Sequence, residues 1–140
     1  MYQKILVAYD GSEGSTLALT KAVKLAQLTG ATLEAIWVKS KLPHYPETVS
    51  EIEGEREAGE VFFNQLQNEM ETYSRQLNCN IKLVALAGHT AKTILNHALE
   101  GYFDLIVLGH QGHSSLWGVS LGHTTDKVSE NAHCSVLIVR

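Results

Sequence analysis

Lys4-Ile5-Leu6-Val7-Ala8-Tyr9-Asp10-Gly11-Ser12 is an apolar run that breaks off into an acidic, glycine-bearing turn. Ile5–Ala8 is continuous rather than alternating, the pattern of a strand covered on both faces. Asp-Gly favours a tight turn, and Ser12 stands where it can cap a following helix. Thr16–Leu28 then places Ala18, Ala22, Leu25 and Thr29 on one helical face, and Gly30 is a stop signal.

Strand and helix patterns alternate along the rest of the chain, without an internal repeat. Further apolar runs lie at Leu33–Val38, Ile81–Leu86, Leu105–Leu108 and Val136–Val139. Between them, Glu53–Leu77 spaces Phe62, Leu66, Met70, Tyr73 and Leu77 by three and four. Thr90–Leu99 gathers Ile94, Leu95, Ala98 and Leu99 before Gly101, and Thr124–Asn131 forms a short last helix. The order β-α-β-α-β-α-β-α-β implies right-handed crossovers and a doubly wound, Rossmann-like α/β fold. Its five-stranded parallel sheet carries helices on both faces. Lys39–Ser50, with Pro43 and Pro46, reads as a mobile loop after the second strand.

Bulk properties agree with one domain, residues 1–140. The 140 residues are 44% hydrophobic and 19% charged, ordinary for a globular chain that buries its core without staples. Net charge is -4 from 11 basic and 15 acidic side chains, and no Lys/Arg cluster marks a nucleic-acid footprint. Cys79 and Cys134 make no disulfide framework and read as buried or half-buried thiols. No signal-peptide pattern and no run of membrane-spanning length are present, so the expected location is cytoplasmic, without a membrane partner.

In open α/β sheets ligands bind beyond the carboxyl ends of the strands, where strand order reverses. The first strand ends at Asp10, a carboxylate at the strand tip. The fourth ends in Leu108-Gly109-His110-Gln111-Gly112, and its loop runs on to Gly122-His123-Thr124-Thr125. Glycines let backbone N–H groups approach phosphate oxygens, and a helix start attracts anions. Strand order 3-2-1-4-5 sets Asp10 and Gly109 on one crevice; order 2-1-3-4-5 pairs Asp10 with Gly88-His89-Thr90 instead. The richer loop after the fourth strand favours the first.

These residues resemble the universal stress protein family over essentially the whole chain. Lys4–Ser12 with Ser15 and Ala18 is similar to that family's first strand and turn, and Ala132–Arg140 resembles its last strand. Gly109-x2-Gly112-x9-Gly122 matches the spacing of its ATP-binding signature. The signature continues with Ser or Thr after the last glycine; here His123 stands there, while the second hydroxyl is kept as Thr125. The resemblance implies an adenine nucleotide alpha hydrolase-like fold that binds ATP, or AMP or ADP, with Mg²⁺ accompanying the phosphates. Asp10 would bind the ribose or adenine edge, and the backbones of Ala8 and Val38 would line the adenine pocket. Gly109 and Gly112 would approach ribose and phosphates, and Gly122, His123, Thr124 and Thr125 would close on the phosphates. The family pattern also implies a homodimer through Val136–Val139, an apolar strand expected at the sheet edge.

Other readings compete. His110-Gln111-Gly112-His113 reads H-x-G-H, as in nucleotidyltransferases, but it follows the fourth strand rather than the first, and no Lys- or Arg-bearing catalytic loop follows it. A homodimeric interaction module that binds no nucleotide is favoured by His123. A flavin domain would rely on Trp117 as its shielding aromatic. No histidine spacing matches a closed zinc pattern, so no metal site is expected. No nucleophile set and no Walker lysine can be located, so the expectation is no enzyme beyond slow ATP hydrolysis. Function would come from nucleotide-dependent order in Lys39–Ser50 and Gly112–Gly122, read by an unidentified protein partner.

Overall fold

The computed structural model describes residues 1–40, 48–110 and 122–140. Residues 5–7 and 105–108, the most continuously apolar stretches, lie in the two strands that need cover on both faces, and both strands are central. The elements are β1 (Lys4–Ala8), α1 (Glu13–Thr29), β2 (Thr32–Ser40), α2 (Val49–Gln76), β3 (Ile81–Gly88), α3 (Thr90–Glu100), β4 (Leu105–Gly109), α4 (Gly122–Asn131) and β5 (Ser135–Val139). All strand pairs are parallel, in the order β3-β2-β1-β4-β5. Order 3-2-1-4-5 therefore holds, and the reversal lies between β1 and β4.

Strand alternation divides the core in two. Ile5, Val7 and Ala35 face Leu19 and Val23 of α1 and Leu66 and Met70 of α2. Leu6, Ile36, Ile106 and Leu108 face Ile94 and Ala98 of α3 and Val128 of α4. At the amino end of the sheet the Asp104 carboxylate accepts the N–H groups of Gln3 (2.8 Å) and Lys4 (3.0 Å), tying β4 to β1. Both edge strands are more open, with Leu86 of β3 38% exposed.

α1, α2 and α4 start earlier than the apolar periodicity suggests, whereas α3 starts at Thr90 as read. α1 begins at Glu13 because the Ser12 side chain accepts from the Ser15 N–H. α2 begins at Val49 because Thr48 caps Glu51 at 3.1 Å. α1 ends where Gly30 takes the left-handed conformation at φ 74°. Of the stretch read as a loop over Lys39–Ser50, Lys39 and Ser40 complete β2, Val49 and Ser50 open α2, and residues 41–47 lie outside the described residues. Among the described residues no helix is long and apolar enough to cross a membrane.

Candidate functional site

The carboxyl ends of β1, β2 and β4 and the starts of α3 and α4 enclose a cleft of about 370 Å³. Six residues singled out from the sequence meet there: Ala8, Asp10, Val38, Gly109, Thr124 and Thr125. Gly122 and His123 form the first residues of α4. Gly112, Gln111, His113 and Trp117 lie outside the described residues. Thr90, at the start of α3, also reaches this cleft, so the loop favoured by the other strand order contributes to the same place.

Asp10 is held by a tight local turn. Its Oδ1 accepts the Ser12 N–H at 3.0 Å, and its own N–H donates to Ser15 Oγ at 3.3 Å. Gly11 makes the turn at φ +82°, where a side chain would be strained. The turn role and the cleft position of Asp10 coexist, because the turn is what fixes the carboxylate on the wall.

Gly109 serves packing as well as access. A Cβ there would lie 2.5 Å from the Gly14 carbonyl oxygen and 3.1 Å from the Ser15 nitrogen. Only a glycine lets the end of β4 meet the start of α1 this closely. Across the cleft, Thr125 is 8% exposed in the first turns of α4, where free N–H groups and the helix dipole favour an anion.

Below the first turn, Tyr9 is buried and its phenol donates to Glu69 Oε2 at 2.7 Å. Burial pushes its ionisation up, and the hydrogen bond to Glu69 and that carboxylate's charge push it the same way. The phenol stays neutral and ties β1 to α2. The β2 side of the cleft carries residues that no motif marked: Trp37, Lys39 and, from α2, Phe62. Trp37 and Phe62 pack with ring centroids 5.0 Å apart. Applying the strand-end rule to β2 as fully as to β1 would have found Lys39. Phe62 depends on how α2 docks, which no local pattern reveals.

A larger groove, about 630 Å³, lies at the amino end of the sheet among Tyr2, Leu99, Phe103 and Cys134. It is the poorer anion site despite its size. It adjoins the last turn of α3, where helix carbonyls carry partial negative charge.

The Universal stress protein family profile matches residues 1–140. The chain belongs to the universal stress protein family. Universal stress protein YxiE of Bacillus subtilis (strain 168) is 36% identical over 151 aligned residues, covering 100% of both chains. Among solved structures, the universal stress protein UspA from Lactobacillus plantarum superimposes with a TM-score of 0.87 at 29% identity, covering 99% of this chain and 98% of that one. A universal stress protein solved in complex with cAMP superimposes at 0.74, with 24% identity over 99% and 97% of the two chains. Its likeness speaks for the fold. The strand order and cleft of this universal stress protein therefore stand on its own residues.

Proposed function

We propose that this universal stress protein binds an adenine nucleotide, ATP with AMP and ADP as further occupants, and acts as a nucleotide-dependent regulatory or interaction module. One observation carries the reading: Asp10, Gly109, Thr124 and Thr125, distant in sequence, converge on one cleft at the topological switch point. A carboxylate there suits ribose hydroxyls. Glycine backbone, two hydroxyls and a helix start suit phosphates. Mg²⁺ would come with the phosphates, bound mainly by their oxygens and water. That a protein of this fold was solved with cAMP agrees with this reading and does not replace it.

The cleft holds its ligand rather than turning it over, apart from slow hydrolysis. Among the described residues its wall has one cation, Lys39, and one carboxylate, Asp10, whose Oδ1 accepts the Ser12 N–H. The nucleotidyltransferase alternative rests on His110 and three residues beyond the described ones; His110 itself is exposed and donates its N–H to the Val139 carbonyl at 2.7 Å. The proposed setting is the cytoplasm. The proposed assembly is a homodimer through β5, an edge strand with Leu137 and Ile138 exposed by 36% and 39%.

Mass spectrometry of small molecules released on denaturing the purified protein tests the reading. An adenine nucleotide is expected. Its absence, together with no heat on titration with ATP, ADP or AMP, would favour the interaction module. Pyrophosphate release with an acceptor would favour nucleotidyl transfer.

A further inference from the structure

Lys39 occupies an unusual position for a surface lysine. It is the penultimate residue of β2, its side chain forms part of the cleft wall, and among the described residues it is the only cation there. Its ammonium donates to the Glu55 carbonyl of α2 at 3.3 Å. The lane it follows is opened by Gly59, where a Cβ would lie 2.5 Å from Lys39 Nζ and 3.2 Å from Cε. A bond of this length to a neutral carbonyl yields to a closer, anionic partner.

The helix segment beneath it is itself marginal. Of the 28 residues of α2, the buried ones are Leu66 and Met70, both in its second half. The first half carries Gly54 and Gly59, each costing about 1 kcal/mol of helix propensity relative to alanine. A segment with little burial and two glycines opens readily, so a single side-chain tie weighs more there than in a packed core.

We propose that Lys39 is a ligand contact of the cleft, and that drawing its ammonium onto an anionic nucleotide releases the first half of α2. The inference rests on the nucleotide reading and adds to it a residue and a readout. β2 and β4 are separated by β1, hence by roughly 10 Å. A nucleotide reaching from Val38 to Thr125 spans that gap, and the four-carbon lysine stem swings over its middle. Occupancy is then reported in α2, and the partner-facing signal lies in a helix as well as in loops.

Calorimetry with ATP, combined with amide hydrogen exchange over residues 49–59, tests this. In the wild-type protein ATP speeds exchange there. Lys39→Met keeps the stem and removes the charge; it weakens ATP binding roughly tenfold. In that variant exchange over 49–59 is fast with or without ATP. Lys39→Arg retains affinity. Gly59→Ala pushes the ammonium off α2 toward the cleft and raises helix propensity, so it binds ATP at least as tightly as wild type. Unchanged affinity in Lys39→Met, or wild-type exchange that stays level or slows on binding, overturns the proposal and leaves the nucleotide reading intact. Absence of any binding heat in the wild type removes both.

Discussion

Gly109 and Gly14 touch: the end of β4 lies so close to the start of α1 that a single added carbon on Gly109 would fall 2.5 Å from the Gly14 carbonyl oxygen. The first glycine of the Gly109-x2-Gly112-x9-Gly122 pattern therefore also sets how near the Asp10 turn stands to the end of β4. Gly109→Ala is expected to cost about 2 kcal/mol through overpacking and to lower Tm by roughly 5 °C, alongside any loss of binding. Thermal melting checks this. An unchanged Tm would show that the contact relaxes without cost.

Asp10→Asn keeps an oxygen to accept the Ser12 N–H and removes the negative charge. Nucleotide affinity should fall about tenfold, while Tm stays within about 1 °C of wild type. Asp10→Ala should lose both affinity and stability. Titration calorimetry and melting of the two variants separate the binding role from the turn role.

How legible all this was depended on the kind of signal. The central strands were readable because residues 5–7 and 105–108 are buried on both faces and have no polar positions. β3 was readable as a strand, and its edge position came with the strand order 3-2-1-4-5 rather than from its own run. Its run resembles a buried one, and its open side follows from having β2 as its strand neighbour, a long-range fact. The start of α2 was placed late because its first turns are rich in glutamate and bury little. Thr48-x-x-Glu51 is the local capping signal that marks the true start. In the cleft, the β1 and β4 ends were readable from Asp10 and the glycines. Lys39 follows from the end of β2 and Thr90 from the loop of the other strand order, whereas Phe62 came from a neighbouring element and carried no local mark.

Tyr9 makes stability fall in alkali. Its folded-state ionisation lies above the ordinary tyrosine value near 10, so above that pH the unfolded chain releases a proton that the native state retains. The Tyr9 contribution is fully present below pH 10 and declines as pH rises through the folded value. Burial raises the thiols of Cys79 and Cys134 as well, adding loss of the same sign from the ordinary thiol range upward. Tyr9→Phe should cost about 1 kcal/mol at neutral pH, through loss of the bond to Glu69, and flatten the decline above pH 10. Denaturant unfolding at several pH values checks the slope.

His123 stands where the family's ATP-binding signature has Ser or Thr. His123→Ser should tighten ATP binding, read by calorimetry. Unchanged or weaker binding would mean that the imidazole already serves the phosphates.

The central claim is tested most directly by mapping backbone amide shifts in isotope-labelled protein during titration with ATP. The shifts should concentrate at Ala8, Asp10, Val38, Gly109 and Thr125, leaving Asp104 and Cys134 at the far end of the sheet unmoved. Saturating perturbations around Asp104 and Cys134, or none anywhere at millimolar ATP, would contradict it.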